Sequence, residues 1–385
     1  MLRQTLAVCA WNFRSIGSRL PNALVVVIGF FTVIAVLSSV LAARDGIALS
    51  TARPGSEAIA VVSVSNGRPD AHTLDLVGQT PGVLRDANGP MAGGVAVGVN
   101  WIRDWRPDML GIAAVYGIER SKIGLLPNFH ILAGRVFRPG LNELMIGKGA
   151  VRLYPEFGLG KTMKWHHNAW KVVGVFETGS DVQDSIFLGD LHQIQAAIAK
   201  GNGYDFISAQ LTSPAAFDAF KKSLESRSGS FAYVKRLSEK DSELGKPFQI
   251  ILSLVAAVIT LLMSVGAIFA SLNVMYANVT SRTTELAVLR ALGFSRAPLL
   301  LALLSEAMLL AVVGGVLGVA VAAVGLNGLQ SSTVMGYQQV TFEFAITLSS
   351  VVTAMALTLG MGFFGGLFPA IRAARLPIAQ ALREE

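Results

Sequence analysis

Apolar residues in this chain are gathered into long runs, and the polar residues fill the stretches between them. Residues 21–43 carry no charge and match the ~20 residues needed to cross ~30 Å of hydrocarbon. Residues 297–326 and 344–371 predict two more spans of the same kind. A fourth helical run covers residues 238–280, opening with Ser238 and Asp241 at capping-box spacing. At 1.5 Å per residue it would be roughly 60 Å long, about twice the hydrocarbon thickness, so it predicts a stalk continuous with a span, bent near Pro247.

Residues 44–237 have a different pattern. Short alternating or apolar runs are punctuated by Gly, Pro and Asn, the mark of a mixed α+β domain. Strands are predicted at Glu57–Ser65, Val95–Ile102, Gly111–Ile118, Leu144–Ile146, Lys161–Trp165, Trp170–Phe176 and Ser185–Leu188. Helices are predicted at Ala71–Gln79 and Leu191–Ala199. A strand–helix–strand unit follows: Phe206–Leu211, Pro214–Ser226 with Ser213 as N-cap, and Phe231–Lys235. The fold class is thus an α-helical membrane protein of four transmembrane helices, with a large α+β periplasmic domain inserted between the first and second.

Three shorter pieces complete the chain. Residues 1–20 read as an amphipathic helix lying on the cytoplasmic surface, with Leu2, Leu6, Phe13 and Ile16 at helical spacing among Arg3, Arg14 and Arg19. Residues 327–343 read as a short periplasmic loop and residues 372–385 as a cytoplasmic tail. Residues 281–296 form a charged and apolar segment between two spans. Arg282, Glu285 and Arg290 share it with Leu286, Leu289 and Leu292 at helical spacing, and Gly293 stands where a left-handed residue ends a helix. Ser295 can cap the next helix, with Pro298 in its first turn. A polar edge beside a leucine face suits docking into a partner's groove, and equally suits a helix resting on lipid headgroups.

Composition supports the membrane reading. The chain has 385 residues, 15% of them charged, and a mean hydropathy of +0.54, too apolar for an ordinary soluble protein of this size. The net charge of +7 would fit a nucleic-acid binder, but Lys and Arg gather at the ends of the apolar runs. The 327–343 loop has none, whereas 281–296 and the tail have several, so the positive-inside rule places both termini in the cytoplasm. No nucleic-acid partner is expected. Cys9 is the single cysteine, so no intramolecular disulfide forms. The first apolar run is longer than a signal-peptide core and reads as an uncleaved anchor.

Candidate chemistry is thin. Gly158-Leu159-Gly160-Lys161-Thr162 resembles the end of a phosphate-binding loop, but Pro155 stands where its first glycine belongs and a strand follows in place of a helix. His166-His167 lacks metal-ligand spacing around it. No catalytic constellation and no metal site are predicted. Glu306 is the one ionisable residue well inside a span; it is either a proton or ion site, or a structural acid close enough to the cytoplasmic end to reach a basic partner. Gly314 with Gly318, and Gly362 with Gly366, have the small-xxx-small spacing that lets helices approach closely within a bundle or a dimer.

The order of these elements resembles the MacB/FtsX family of ABC-transporter permeases. Arg282, Glu285, Leu289, Arg290, Ala291, Leu292 and Gly293 match the family's R-x-x-E-x-x-x-L-R-A-L-G coupling segment. Pro369, Ala370, Arg372, Ala373, Pro377, Ala381, Leu382 and Arg383 match its C-terminal signature. Gly134–Phe137, Gly147–Ala150 and Val172–Phe176 are similar to its periplasmic domain. The resemblance implies mechanotransmission: a separate ABC ATP-binding subunit closes on ATP, coupling helices move with it, and the stalk relays that motion outward. MacB itself begins with a fused ATPase that this sequence does not show. ATP and Mg are therefore expected in the partner and no cofactor in this chain. Arg282, Glu285, Leu286, Leu289, Arg290 and Gly293 are the expected docking residues.

The other implied partners are a second permease copy, as a homodimer ahead of a heterodimer, membrane lipid, and a periplasmic adaptor with an outer-membrane duct. The implied location is the bacterial inner membrane. Two other readings stay open within the family, a lipoprotein-releasing permease and an FtsX-like regulator of a periplasmic or cell-wall enzyme. A proton-coupled transporter built on Glu306 is a third.

Overall fold

The computed structural model describes residues 20–51, 55–65, 67–87, 89–103, 110–199, 201–228, 231–293, 295–336 and 338–375. The amphipathic helix predicted before residue 20, and Pro377, Ala381, Leu382 and Arg383 of the C-terminal signature, lie outside them.

In chain order the described elements begin with α1 (Leu20–Thr51), β1 (Ile59–Val64) and α2 (Ala71–Gln79). The next strands are β2 (Arg85–Asp86), β3 (Gly89–Pro90), β4 (Ala92–Arg103), β5 (Leu110–Ile118), β6 (His130–Gly134) and β7 (Glu143–Gly147). Then come α3 (Lys148–Leu153), β8 (Thr162–Trp165), β9 (Asn168–Glu177), α4 (Asp181–Asp184), β10 (Phe187–Asp190) and α5 (Leu191–Ala197). β11 (Phe206–Gln210), α6 (Phe217–Ser228) and β12 (Ala232–Arg236) lead to α7 (Leu237–Thr280). The chain closes with α8 (Thr283–Ala291), α9 (Arg296–Leu326), β13 (Gln330–Met335), β14 (Gln338–Glu343) and α10 (Leu348–Ala374).

Four of these helices, α1, α7, α9 and α10, are long and apolar enough to cross a membrane. The chain forms two compact units. The first gathers residues up to Asp45, Ile250–Leu329 and the chain from Phe344 onward; the second gathers Gly46–Gln249 and Gln330–Glu343. The boundary falls inside α1 and again inside α7.

The helical unit is built on close backbone approach. A Cβ on Gly314 would stand 2.8 Å from the Val27 carbonyl oxygen, and one on Gly318 would stand 2.9 Å from that of Phe31, so α9 lies directly on the α1 backbone. Gly362 and Gly366 of α10 meet the methyl groups of Ala311 and Ala307 of α9, and Gly365 meets the Ser271 side chain of α7. Both predicted glycine pairs are thus consumed by packing within one chain. Phe30, Ile34, Leu310, Ala311, Ala354 and Met361 fill the space between helices.

The second unit is a ten-stranded mixed sheet in the order β12-β1-β11-β4-β5-β10-β7-β9-β6, with β8 also on β9. The long β4 joins its halves, pairing β11 through Ala92–Val95 and β5 through Ala96–Arg103. Asp70 starts α2 by accepting the Thr73 N–H at 2.8 Å. Trp165, Trp170, Tyr154, Phe187 and Phe220 are fully buried at its core. β8 follows the Gly158–Lys161 turn and pairs with β9, so the glycine-rich turn feeds a strand.

Besides the short elements β2, β3, β6, α3 and α4, which the pattern does not predict, two parts differ from the expectation. α1 continues past Ala43 to Thr51. Residues 330–343 are a β-hairpin belonging to the sheet unit, with β14 buried from Gln338 to Phe342.

Because Gly318 sits against backbone, Gly318→Leu should force α9 off α1 and cost about 1–3 kcal/mol, read as a lowered unfolding midpoint in detergent. Gly325→Leu, on the same helix with nothing within 4 Å of its Cβ, should leave that midpoint unchanged.

Candidate coupling surface

The segment between α7 and α9 folds as its spacing predicts. Ser281 and Arg282 close α7 through N–H bonds to the carbonyls of Ala277 (3.0 Å) and Val279 (3.2 Å). α8 then runs for nine residues and ends at Gly293, whose φ of +94° gives the chain its left-handed exit. Ser295 occupies the N-cap of α9 without a side-chain capping bond, and Pro298 is buried in its first turn.

α8 has an inward and an outward side. Arg282 is buried, and its Nε donates to Glu285 Oε2 at 2.9 Å while half of the Glu285 side chain stays in the open. Ala287 is buried, and Leu289 packs on a cluster of Val279, Leu299, Leu303, Ala370 and Ala373 from α7, α9 and α10. Val288 and Leu292, 44% and 72% exposed, point away from that cluster and lie on one helical side with Glu285. Arg290 is half-buried and partnered. The Leu286 side chain lies outside what is described. Of the predicted docking residues, then, Glu285 reaches the open surface, Arg282 and Leu289 are turned into the bundle, and Val288 and Leu292 join the outward side.

Two contacts bind this end of the bundle together. Asn22 Nδ2 donates to Asn278 Oδ1 at 3.2 Å, joining α1 to α7. The Arg372 guanidinium lies 5.6 Å from the centre of the Tyr276 ring, joining α10 to α7 as a cation–π contact. Glu306 is buried on the inner side of α9 and is itself partnered.

The other end of the helical unit holds a contact that spacing did not reveal. Asp45 on α1 is 7% exposed. Its Oδ2 accepts hydrogen bonds from the hydroxyls of Thr347 and Ser350, at the start of α10. Its Oδ1 accepts from the Arg44 guanidinium, at 2.7 and 3.0 Å. Thr347 also caps α10 by accepting the Ser350 N–H at 3.3 Å. A sequence signal exists in hindsight: an Asp at the end of an apolar run, and a Thr-x-x-Ser at the start of another.

The sheet unit offers little chemistry. Among the described residues, no group of three or more His, Cys, Asp or Glu side chains could hold a metal ion. His166 and His167 sit in the β8–β9 turn. A mostly apolar cavity of about 40 Å³ lies between Tyr116, Phe206, Gln183, Leu237, Lys240 and Gln338. It is far below the several hundred Å³ that encloses a drug-sized ligand.

Two family profiles cover this architecture. The MacB-like periplasmic core domain matches residues 21–227, more than half the chain, and the FtsX-like permease C-terminal domain matches residues 251–378. The chain belongs to the MacB/FtsX family of ABC-transporter permeases. It is a multi-pass membrane protein with a periplasmic-type domain between its first and second long apolar helices.

Two relatives of this permease show how far the likeness extends. The ABC transporter permease YvrN of Bacillus subtilis is 26% identical over 299 residues, 70% of each chain. The macrolide export ATP-binding/permease protein MacB of Bdellovibrio bacteriovorus is 25% identical over 305 residues, 74% of this permease but 45% of that relative. The solved periplasmic region of MacB from Actinobacillus actinomycetemcomitans aligns with 49% of the permease and 92% of its own chain. Its identity is 12% and its TM-score 0.36, which adds nothing to the family match.

Removing the Asp45 carboxylate takes an acceptor from Arg44, from the half-buried Thr347 hydroxyl and from the buried Ser350 hydroxyl. Asp45→Ala should therefore cost about 3 kcal/mol in unfolding measurements on the detergent-solubilised permease. Asp45→Asn should cost less, since an amide oxygen still accepts from Thr347 or Ser350.

Proposed function

We propose that this permease takes up ATP-driven motion at α8 and transmits it along α7 and α1 to its periplasmic domain. One observation carries the reading: α8 is a short helix with one side fastened to three long helices and the other side open. Leu289 and Ala287 hold the fastened side, and Glu285, Val288 and Leu292 make the open one. A helix bound in this way cannot move without moving the ends of α7, α9 and α10. Its open side has an apolar centre and an acidic edge, as a helix seated in a partner's groove requires.

In this reading the groove belongs to a separate ABC ATP-binding subunit, which holds ATP and Mg and does the hydrolysis; the permease contributes no catalytic residue. α8 and both termini lie in the cytoplasm, the membrane is the bacterial inner membrane, and the sheet domain lies in the periplasm. α7, at 44 residues about 66 Å long at 1.5 Å per residue, has more than twice the length that ~30 Å of hydrocarbon demands. Its uncovered apolar residues, among them Ile250, Leu254, Leu261 and Phe269, would meet lipid and a second copy of the permease. An adaptor and an outer-membrane duct would complete an exporter or extractor.

Both Val288→Asp and Leu292→Asp alter only the open side, so the chain should still fold and insert. Co-purification with the ATP-binding subunit should drop about tenfold or more, the effect of losing one well-buried interface anchor, and transport should fall with it. Val324→Ala, an exposed change near the far end of α9, should leave both unchanged. Undiminished association in the two α8 variants would refute the assignment.

A further inference from the structure

One edge of the sheet gathers positive charge that the rest of the domain does not neutralise. β8 has a single neighbour, β9, which it meets antiparallel from Thr162↔Lys171 to Trp165↔Asn168 without a register shift. β7 takes the other side of β9, and β6 lies farther along the same side as β8. β6 is bulged between Ile131 and Ala133, so β8 is the regular part of this edge. Among the described residues no strand pairs with its outer side.

Side chains alternate across this β8–β9 hairpin. Met163, Trp165 and Trp170 point into the core, while Thr162, Lys164, Ala169 and Lys171 are exposed on the outer face. The register makes Lys164 and Lys171 diagonal neighbours on that face. Lys161, at the foot of β8, is exposed too, as are His166 and His167 in the turn. Among the described residues none of the three lysine ammonium groups makes an ion pair or a hydrogen bond. The nearby carboxylates are already taken. Glu143, across from Lys171 on β7, accepts from Arg135 at 2.6 and 2.7 Å and from the Arg138 N–H at 2.9 Å. Glu177, farther along β9, holds Lys148 at 2.8 Å. Leu159, 45% exposed, precedes the lysines and adds an apolar contact.

We propose that β8 is a docking edge for an extended protein segment with acidic side chains at alternate positions, which joins the sheet as a further strand. Such a segment hydrogen-bonds to the open backbone of β8, and its acidic side chains, ~7 Å apart along one face, lie over Lys164 and Lys171. Lysines blunt a free edge, because an apolar or basic strand that pairs there must strip or repel their ammonium groups. An acidic strand supplies the missing counter-charge instead. The residues that guard the edge therefore also select what may join it. A phosphate-rich surface would meet the same charge, but it makes no use of a strand edge or of Leu159 and Ala169. The docking edge lies wholly within the sheet domain and does not depend on what binds α8.

The test is a binding titration of the full-length permease in phosphatidylcholine nanodiscs, using a fluorescent peptide of about ten residues that alternates Glu and Thr. Binding should saturate and should weaken about tenfold when Lys164→Glu and Lys171→Glu are combined. Both side chains are exposed and unpaired, so the unfolding midpoint of that variant should match the wild type. Combining Lys222→Glu and Arg227→Glu, which changes the charge equally on the exposed side of α6, should leave binding unchanged. A peptide alternating Glu and Pro has the same charge but lacks half the N–H groups, and it should bind about tenfold more weakly. Equal binding of the two peptides, or equal loss in the α6 variant, would reduce the interaction to diffuse attraction and overturn the docking edge. So would inorganic polyphosphate or anionic vesicles that bind through the β8–β9 lysines while the Glu–Thr peptide does not, since the face would then belong to a phosphate surface.

Discussion

Helices in lipid gain nothing from burying apolar surface, so this bundle depends on how closely its backbones can approach. The glycines of α9 and α10 provide that approach. With no Cβ at Gly314 and Gly318, α9 lies on α1; with none at Gly362 and Gly366, α10 lies on α9. The seam leaves polar groups with few alternatives, and they fasten the ends of the helices. Asp45 holds the start of α10, and Asn22 holds the end of α7. The packing of three long helices around Leu289 follows from that seam, and so does the direction in which α8 presents its open side.

The same constraint explains why the intramembrane glycine motifs do not identify a partner. They are used up inside one chain, whereas large apolar residues stay uncovered on all four long helices, with α7 carrying more of them than any other. A seam of small residues and an uncovered run of large ones divide the work between holding one copy together and meeting whatever lies outside it.

Much of this was legible in the residues. The four long apolar helices, the inserted sheet domain and the short helix at 283–291 follow from run length, alternation and the Gly293 stop. Asp70 marks the start of α2 because its carboxylate caps the helix. Other features were not legible, each for a physical reason. Arg44-Asp45 reads as the edge of a span, but the two charges satisfy each other and the start of α10, so α1 runs on to Thr51. β6 is exposed along its whole length, with a bulge between Ile131 and Ala133, so it has no alternation to detect. The hairpin is mostly Gln, Ser and Thr on its outer strand, and it folds because β14 is buried by distant partners. Helical periodicity shows which residues of α8 share a side. It does not show which side the bundle covers, so spacing alone neither singles out Val288 nor turns Leu289 inward.

The outward and inward sides of α8 can be told apart by what each touches. The most direct measurement is cysteine cross-linking in native membranes, in a Cys9→Ser background, between single cysteines along α8 and the ATP-binding subunit. Val288→Cys and Leu292→Cys should cross-link, with a yield that changes when ATP is added. Ala287→Cys and Leu289→Cys, facing the bundle, should not. Cross-linking through the inward pair alone, or through no position on α8 while the subunit remains bound, would contradict the claim that this helix is where ATP-driven motion enters the permease.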